Sequence, residues 1–424
     1  FAVARMLFDL AEQLRTRENA GLHRRRLTLE SSQHTHVSIA GREYLAFCSN
    51  DYLGLANHPQ LIEAACDGAR QYGVGAGASH LISGHSSAHH ALENALAHFT
   101  GFPRALLFST GYMANAGMVT ALIDRGDAVF ADKLNHASLN DAVLCSRVKL
   151  IRYPHLDLAA LERRLAGSQA RRKLVMTDAV FSMDGDIAPV AGLLALCDKY
   201  DAWLLLDDAH GFGVLGRQGR GIISHVNLSS PRIIYMATLG KAAGVFGAFV
   251  AAQTEVIETL IQSARSYIYT TATPPLLAHA LLQSLTLIEQ EEWRRERLSQ
   301  LIVQLRQGLQ SLRWKLLPSA TPIQPLIIGR NDEALQLSET LRERGILVPA
   351  IRPPTVPQGM ARLRISLSAS HSVADVEQLV VALRELESNS WDLIKSVCGE
   401  PDATTSHSTG LSNNNSLVTG YVEP

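Results

Sequence analysis

Short apolar runs alternate with longer stretches of helical period between residues 46 and 285. The runs have the length of buried strands, and the intervening stretches repeat their apolar residues every three or four positions. Alternation of this kind is typical of an α/β fold in which helices flank a mostly parallel sheet. We predict helices that include Leu158–Leu165 and Leu193–Tyr200, and strands at Ala105–Phe108, Ala128–Ala131, Val148–Tyr153, Lys173–Thr177, Trp203–Leu206, Ile233–Ala237 and Gly247–Ala251.

The pattern changes after residue 285. A charged helical stretch, Glu291–Leu312, precedes short strand patterns and further helical patterns, which indicates a smaller α+β domain. The final residues are polar, rich in Ser, Thr and Asn, and lack a period, so we expect a disordered tail. The predicted organisation is an N-terminal segment 1–45, a large domain 46–285, a small C-terminal domain 286–390 and a tail 391–424, with further strands at Ile323–Ile328 and Arg362–Leu367 and helices at Ala334–Arg344 and Val373–Leu386.

Composition disfavours several classes of partner. The 39 Lys and Arg residues nearly balance the 40 Asp and Glu residues, so nothing favours binding to nucleic acid or to a membrane surface. No apolar run approaches the roughly 18 residues of a spanning helix, and the chain lacks a signal-peptide pattern, so we expect a cytoplasmic protein. The five cysteines lack metal-type spacing and are expected to be buried free thiols. His89, His90 and His98 are assigned to a helix surface, and no metal is expected.

One lysine, Lys241, lies in the small-residue segment MATLGKAAGVFGA, residues 236–248. It does not belong to a phosphate loop, because Ala242 stands where that motif requires Ser or Thr. The glycine-rich stretch Gly73–Ala78 matches a dinucleotide fingerprint weakly, because it follows a helical pattern instead of a strand. A third interpretation is a lysine that forms a Schiff base with pyridoxal phosphate, whose flat ring needs small residues around it.

Pyridoxal phosphate requires a carboxylate at its ring nitrogen, and Asp207 is a candidate. Asp207 follows the apolar run that begins at Trp203, and ligands of α/β sheets sit at the carboxyl ends of strands. His210, three residues later, could reach the phenolic oxygen of the ring. A helix N-cap at this point, with a solvated neighbour at Asp208, explains the same stretch equally well.

A phosphate pocket and a stacking group are also available. The segment Ser109–Asn115 follows a predicted strand and precedes a helical pattern, so its glycine turn offers backbone N–H groups to a phosphate. Thr238 adds a hydroxyl three residues before Lys241. His136, in a loop after another predicted strand, is a candidate for stacking on the ring, although a single loop histidine is more often structural.

Six segments, taken in order, resemble those of the α-oxoamine synthases, which are fold-type-I pyridoxal-phosphate enzymes. The resemblance covers about residues 20–388. It implies an aspartate-aminotransferase-like fold, a decarboxylative condensation of an amino acid with an acyl thioester, and a homodimer whose subunits share the active site. The segments are Asn50–Gly54, Ser109–Tyr112, Asn135–Ser138, Phe181–Asp186, Asp207–Gly211 and Thr238–Lys241.

The resemblance also implies roles for individual residues. Lys241, His136 and Asp207 would be catalytic, because Lys241 bonds the cofactor, His136 stacks on its ring and Asp207 pairs with its nitrogen. The remaining cofactor contacts would be Gly111, Tyr112, Ser182, His210, Thr238 and, supplied to the other subunit, Thr271. The substrate contacts would be Arg24, Asn50, His136, Thr355 and Arg364, of which Arg364 binds the carboxylate of the amino acid.

Two segments indicate the substrates. Ile351–Pro357 and the arginine cluster His23–Arg26 resemble the versions in those members that join L-alanine to a pimeloyl thioester in biotin biosynthesis. The thioester is carried either by CoA or by a carrier protein. The alternatives are a sister synthase that joins glycine to acetyl-CoA, a catalytically silent pyridoxal-phosphate subunit, and a nucleotide-binding module built on Gly73–Ala78.

Overall fold

A computed structural model of the chain describes residues 10–20, 22–24 and 26–398, with side chains described as far as residue 388. The helices are α1 Leu10–Asn19, α2 Pro59–Tyr72, α3 Ser87–Thr100, α4 Gly111–Leu122, α5 Ala137–Ser146, α6 Leu158–Ala166, α7 Val190–Lys199, α8 Ile222–His225, α9 Thr254–Ser263, α10 Arg265–Ile268, α11 Pro275–Gln290, α12 Trp293–Gly308, α13 Asn331–Glu343 and α14 Val373–Cys398. The strands are β1 His36–Ile39, β2 Arg42–Ala46, β3 Arg104–Phe108, β4 Ala128–Asp132, β5 Lys149–Tyr153, β6 Lys173–Asp178, β7 Ala202–Asp207, β8 Ile233–Thr238, β9 Ala248–Ala252, β10 Lys315–Leu316, β11 Ile323–Gly329, β12 Ile346–Leu347, β13 Ala350–Ile351 and β14 Ala361–Ser366. A π-helical turn covers His80–Gly84, and a 3₁₀ turn covers Arg217–Gly219.

A seven-stranded sheet forms the centre of the large domain, in the order β3-β9-β8-β7-β6-β4-β5. Strand β9 runs antiparallel to its neighbours β3 and β8, and the other adjacent pairs are parallel. Every strand predicted for this domain is present, with ends that differ from the prediction by no more than one residue. The prediction of an α/β fold with a mostly parallel sheet is confirmed.

Apart from the edge strand β5, which is partly exposed, the seven-stranded sheet is largely buried on both faces, and this explains why its strands are mostly apolar runs. Along β7, Leu204 and Leu206 pack into the core on one face of the sheet, and Leu205 packs into the core on the other. Met118 of α4 and Leu139 of α5 belong to the second of these cores. A polar residue at the end of such a strand therefore marks the point where the chain leaves the apolar layers.

Two smaller sheets complete the fold. The order β10-β11-β14-β13 gives an antiparallel sheet in the predicted small domain. Strands β1 and β2 form a hairpin, and β2 also pairs in parallel with β12, which places Leu45 opposite Ile346. The predicted N-terminal segment therefore shares a sheet with a part of the chain about 300 residues away, a pairing that local patterns do not indicate.

The last helix extends beyond the predicted end of the small domain. Helix α14 runs to Cys398, so a helix replaces the predicted tail over residues 391–398. The helix continues there because apolar residues recur at helical spacing, at Trp391, Ile394 and Val397. Residues 399–424, the rest of the predicted tail, lie outside the described residues. Within the described ranges, no helix combines the length and the apolar character needed to cross a membrane.

One histidine predicted on the surface is buried. His89 lies in the first turn of α3, where its Nδ1 accepts the Ser86 N–H at 3.0 Å. Its Nε2 lies 2.8 Å from the carbonyl oxygen of Thr273, a residue 184 positions later in the chain. His89 thus caps its own helix and anchors a distant segment, whereas His90 and His98 are exposed as predicted.

The prediction of buried thiols is wrong for most of the described cysteines. Cys197 is buried, whereas Cys48, Cys66 and Cys145 are exposed. Cys66 and Cys145 lie on the solvent-facing sides of α2 and α5, and a small side chain tolerates that position as well as a buried one. The glycine stretch Gly73–Ala78 follows helix α2 and not a strand, as expected, so it lacks the context of a dinucleotide fingerprint.

Candidate active site

The carboxyl ends of adjacent strands bring several predicted residues together. Strands β6, β7 and β8 end at Asp178, Asp207 and Thr238, and the register places Asp178 directly opposite Asp207. Lys241 follows β8 by three residues, and the Thr238 hydroxyl donates to the carbonyl oxygen of Gly247 at 3.0 Å, which closes the turn that carries the lysine. Because parallel strands end at one edge of a sheet, two carboxylates and an amine converge there.

The amine of Lys241 is oriented by a chain of hydrogen bonds. Lys241 Nζ lies 3.0 Å from His210 Nε2, and His210 Nδ1 lies 2.6 Å from the Tyr52 hydroxyl. That hydroxyl donates to Asn50 Oδ1 at 3.1 Å, so His210 carries its proton on Nδ1 and accepts from Lys241 at Nε2. Burial, with the nearby charge of Lys241, lowers the pKa of His210 well below its usual range, which keeps the ring neutral.

Burial also changes the acidity of Lys241. It lowers the pKa of the amine to about 8, although the carboxylates of Asp207 and Asp178 act in the opposite direction. About a tenth of the amine is therefore free at pH 7, far more than at the ordinary lysine pKa, and the free amine is the nucleophilic form. Burial and the neighbouring Asp207 raise the pKa of Asp178 well above its usual range.

Asp207 is a buried carboxylate whose two oxygens both accept hydrogen bonds. Asn115 Nδ2 donates to Oδ2 at 2.8 Å, and the Ala209 N–H donates to Oδ1 at 3.1 Å. The same Asn115 amide donates to Ser138 Oγ at 2.9 Å, and its Oδ1 has no hydrogen-bond partner among the described residues. These contacts hold the Asp207 carboxylate in one orientation at the sheet edge.

The alternative of a helix N-cap at Asp207 does not hold. The chain continues from β7 into a series of turns, and the next helix, α8, begins 15 residues later at Ile222. Asp208 is not solvated either, since it is fully buried and its Oδ2 accepts from the Ile222 N–H at 2.7 Å and the Tyr235 hydroxyl at 2.8 Å. Burial raises the pKa of Asp208 to about 7. Asp208 therefore serves the packing of the turn, and Asp207 faces the candidate site.

His136 is held beside the two carboxylates. It occupies the N-cap of α5, where its Nδ1 accepts the Ser138 N–H at 3.2 Å. Its own backbone N–H donates to Asp178 Oδ2 at 2.6 Å. The ring of His136 remains exposed at the sheet edge, where it can cover one face of a flat ligand.

The start of α4 points free backbone N–H groups toward the same edge. Gly111 and Tyr112 are its first residues, and the side chain of Thr110 caps it. The first N–H groups of a helix have no intrahelical acceptor and lie at the positive end of the helix dipole. A Cβ on Gly111 would lie 3.7 Å from Met236 of β8, so Gly111 stands close to the strand that leads to Lys241. The Tyr112 hydroxyl donates to Asp141 at 2.6 Å.

Arg364 reaches this edge from the small domain. Its two terminal nitrogens donate to Asn50 Oδ1 at 3.3 and 3.2 Å, and its Nε donates to the carbonyl oxygen of Ser182 at 2.5 Å. Arg362 contacts the same turn at Asp184 Oδ1, at 2.8 Å, because strand residues two positions apart share a face. Arg362 has a carboxylate partner there, whereas the partners of buried Arg364 are neutral.

The predicted residues Thr271, Arg24 and Thr355 are all described, and none forms a hydrogen bond with the side chains that meet at this edge. Those side chains, called the Lys241 cluster, are Asn50, Tyr52, Asn115, His136, Asp178, Asp207, His210, Lys241 and Arg364. Thr271 is exposed and forms an isolated β-bridge with Ser79. Arg24 and Thr355 are exposed as well. The Thr355 N–H donates to the carbonyl oxygen of Arg352 at 3.1 Å, and burial and the charge of Arg24 lower the pKa of Arg352. Arg24 and Thr355 therefore share a neighbour, although they lie 331 positions apart in sequence.

Three members of the cluster, Tyr52, Asn115 and Asp178, were not predicted as site residues. Tyr52 and Asn115 lie inside segments that contain predicted site residues, but nothing local distinguishes them from core residues. Asp178 ends β6 in the same way as Asp207 ends β7. A polar residue directly after an apolar run could therefore have identified Asp178 as a site residue from the sequence.

An ion triad built on buried Asp132 and partly buried His155 and Asp186 connects the loops that flank the cluster. His155 Nδ1 lies 3.0 Å from Asp132 Oδ1, and its Nε2 lies 2.8 Å from Asp186 Oδ2. Burial alone would lower the pKa of His155, but the hydrogen bonds and charges of the two carboxylates raise it to about 10. The imidazolium thus links the end of β4, which leads to His136, to the turn that contains Ser182.

Replacing His155 with leucine is expected to lower the free energy of unfolding by about 3–5 kcal/mol at pH 7, because Asp132 would stay buried without its cation. The folded-state pKa of His155 is raised, so its stabilisation is complete below the unfolded value of about 6.5 and is lost as the pH rises through about 10. Denaturant unfolding at pH 7 and above pH 10 measures both effects. The exposed His98→Leu control should change stability by less than about 0.5 kcal/mol, and an H155L variant as stable as the wild type at pH 7 would contradict the assignment.

The chain is similar to known proteins over most of its length. The family model for aminotransferase class I and II matches residues 42–383. The 8-amino-7-oxononanoate synthases of Nitrosospira multiformis and Nitrosomonas europaea are 73% and 69% identical to it, over 89% and 90% of this chain and 96% and 99% of their own lengths. Among solved structures, serine palmitoyltransferase of Sphingomonas wittichii is 30% identical with a TM-score of 0.86, over 91% of this chain and 98% of its own. The 8-amino-7-oxononanoate synthase of Francisella tularensis is 32% identical with a TM-score of 0.72, over 82% and 99%.

Proposed function

We propose, since this chain belongs to the aminotransferase class I and II family and within it to the α-oxoamine synthases, that it catalyses the 8-amino-7-oxononanoate synthase reaction of biotin biosynthesis. In this reaction L-alanine and a pimeloyl thioester give 8-amino-7-oxononanoate, carbon dioxide and the free thiol carrier. The observation that carries the proposal is the 73% identity with the Nitrosospira multiformis synthase over 378 residues.

The residues at the strand ends fit pyridoxal phosphate. Lys241 supplies an amine, Asp207 supplies a buried carboxylate for the ring nitrogen, and the start of α4 at Gly111 supplies N–H groups for the phosphate. Asn115, whose Oδ1 has no partner in the described part of the chain, holds the Asp207 carboxylate through its amide nitrogen. When bound, the cofactor stabilises the negative charge that develops at Cα of the amino acid.

Lys241 is the group we assign to proton transfer. With a pKa near 8, its Nζ can take the proton from Cα of alanine and return one to the same carbon after carbon dioxide is lost. His210 stays neutral and accepts from Nζ at 3.0 Å, so it directs the amine without competing for the proton. The carboxylate of Asp207 holds a proton on the ring nitrogen by its negative charge.

Arg364 is the group we assign to the carboxylate of alanine. Its guanidinium donates to amide, carbonyl and hydroxyl oxygens, and among the described residues no carboxylate forms an ion pair with it. A buried cation with neutral partners favours an anionic ligand, and its fork matches a carboxylate in two hydrogen bonds. Asn50 and Ser182 fix the direction of that fork.

Substituting lysine for Arg364 is expected to raise the KM for L-alanine by about tenfold to a hundredfold, because an ammonium lacks the two-pronged geometry. Steady-state rates at varied L-alanine and saturating pimeloyl-CoA measure the effect. Arg362→Lys is the matched control, since Arg362 lies two residues away on the same strand but pairs with Asp184. Arg362→Lys should lower the free energy of unfolding and leave the KM for L-alanine within about threefold of the wild-type value. An unchanged KM in the R364K variant would contradict the role of Arg364.

We further propose that two chains pair and share their active sites. Exposed Thr271 lies two residues after Tyr269 and bridges to Ser79, three residues before Ile82, and these two apolar side chains are exposed by 71% and 80% in a single chain. Pairing through this surface would bury these side chains and deliver the Thr271 hydroxyl to the phosphate site of the other subunit. Sedimentation at micromolar concentration should give twice the chain mass of 46.1 kDa, whereas a monomer of full activity would refute the shared site.

Substrate choice tests the proposed reaction against its alternatives. Arg24 and Thr355, which lie in the two segments that resemble the pimeloyl-specific versions, are proposed to contact the acyl chain. Thiol release is followed with L-alanine or glycine, each combined with pimeloyl-CoA or acetyl-CoA. We expect L-alanine with pimeloyl-CoA to give the highest kcat/KM, by at least about tenfold. A preference for glycine and acetyl-CoA would identify a sister synthase, and no release with any pair would identify a silent subunit.

A further inference from the structure

A second cluster of ligand-type side chains lies near the start of α3. His85 follows the π-helical turn, and His90 and Glu93 lie one turn apart on α3. One side-chain ligand atom from each of the three residues lies within 4.8 Å of the other two. His85 Nε2 and Glu93 Oε2 are 3.9 Å apart. None of the hydrogen bonds of these residues involves the Lys241 cluster.

Neighbouring groups orient two of these side chains. His85 Nδ1 lies 3.0 Å from Nδ1 of His80, which leaves Nε2 to face the cluster. Glu93 Oε1 accepts the N–H of Leu107 at 3.0 Å, on edge strand β3, which leaves Oε2 to face His85. Contacts of this kind, in which the second polar atom of each ligand is held by its surroundings, are typical of built metal sites.

His89 does not belong to this set. It also lies within 4.8 Å of His80 and His85, but the Ser86 N–H occupies its Nδ1 and the Thr273 carbonyl occupies its Nε2. Both ring nitrogens of His89 are therefore used by the fold. The set with available lone pairs is His85, His90 and Glu93.

We propose that His85, His90 and Glu93 bind a divalent transition metal ion, with Zn²⁺ as the best match. Two imidazoles and one carboxylate are ligands that Zn²⁺ accepts readily, and hard ions such as Mg²⁺ or Ca²⁺ prefer oxygen alone. In a tetrahedral site the ligand atoms lie about 3.3 Å apart, so side-chain rotations must close gaps of up to about 1.5 Å. Exposed His90 can make this movement, and the remaining position stays open to water.

Metal binding at this site fastens the turn before α3 to the helix itself. His80, which orients His85, stacks on Tyr267 at 5.0 Å, and Ser79 forms the β-bridge to Thr271. The bound ion therefore restrains the segment that also positions Thr271. It acts through the fold and takes no part in the chemistry at Lys241.

The test uses the holoenzyme after treatment with a chelator, titrated with Zn²⁺ in competition with a chromophoric chelator. We expect one Zn²⁺ per chain, and we expect His90→Gln to weaken binding by about tenfold or more. Substituting Co²⁺ should give a visible absorption band without thiolate-to-metal charge transfer, which separates this site from the exposed cysteines. His98→Gln is the matched control, since His98 is exposed on the same helix outside the cluster, and it should bind Zn²⁺ as the wild type does.

The proposal is overturned if the wild type binds no stoichiometric Zn²⁺, or if the His90→Gln variant binds it as tightly as the wild type. Glu93→Gln provides a second variant, because the amide oxygen can still accept the Leu107 N–H while the negative charge is lost. We expect Glu93→Gln to weaken binding as well, at unchanged pyridoxal-phosphate content. A Zn²⁺ affinity equal to that of the wild type in both variants would assign the ion to other side chains.

Discussion

Replacing Lys241 with alanine is expected to lower turnover by at least about three powers of ten, because one side chain is assigned both the bond to the cofactor and the proton transfer at Cα. Its amine lies 3.0 Å from His210 and next to two buried carboxylates, and burial lowers its pKa to about 8. Truncation leaves the small, buried neighbours Ala242 and Ala243 in place, so the fold should persist. The measurements are kcat and the visible absorbance of lysine-bound pyridoxal phosphate.

The control for this prediction is Lys199→Ala. Lys199 lies on the surface of α7 and pairs with Glu162, so its loss should leave both the absorbance and kcat within about twofold. A purified K241A variant that kept the absorbance of lysine-bound cofactor would show that another lysine binds the cofactor, and would contradict the assignment of Lys241.

An asparagine at position 207 is expected to leave the fold and cofactor binding intact and to slow removal of the alanine Cα proton by about two to four powers of ten. Asparagine has the shape of aspartate and can still accept the Ala209 N–H, but it lacks the charge that holds a proton on the ring nitrogen. Exchange of the Cα hydrogen of L-alanine with deuterated water, followed by NMR without thioester, isolates this step.

Asp208→Asn is the matched control for that experiment. Asp208 is adjacent and equally buried, but its contacts are the Ile222 N–H and the Tyr235 hydroxyl, away from Lys241. It should lower the melting temperature and leave the exchange rate within about threefold. Normal exchange in D207N, or equal losses in both variants, would contradict the assignment of Asp207 to the cofactor ring.

The sequence predicts the central sheet well because burial on both faces requires most of its strands to be apolar runs. Because the buried strands are apolar, the first polar residue after each run marks the end of the strand. The apolar pattern therefore places Asp207 and Lys241 at one edge of the sheet. The position of His210 in the same site is predicted because it lies three residues after Asp207. The family resemblance, and not the local pattern, identifies Arg364, whose strand lies in another sheet.

What the sequence does not predict depends on contacts between distant residues. The burial of His89 requires Thr273, the cation at His155 requires Asp132 and Asp186, and the orientation of His210 requires Tyr52. The apolar period of a segment does not indicate which distant residue its side chains will contact, so none of these pairs can be predicted from local patterns. The parallel pairing of β2 with β12 is missed for the same reason.

The stoichiometry of carbon dioxide release shows whether the Lys241 site carries out a decarboxylative condensation. L-alanine labelled in its carboxyl carbon is incubated with pimeloyl-CoA and the holoenzyme, and labelled carbon dioxide, free CoA and the product mass are measured together. We predict one labelled carbon dioxide for each CoA released, and a product with the mass of 8-amino-7-oxononanoate without label. CoA release without labelled carbon dioxide, or a product that keeps the labelled carboxylate, would contradict a decarboxylative condensation at the Lys241 site.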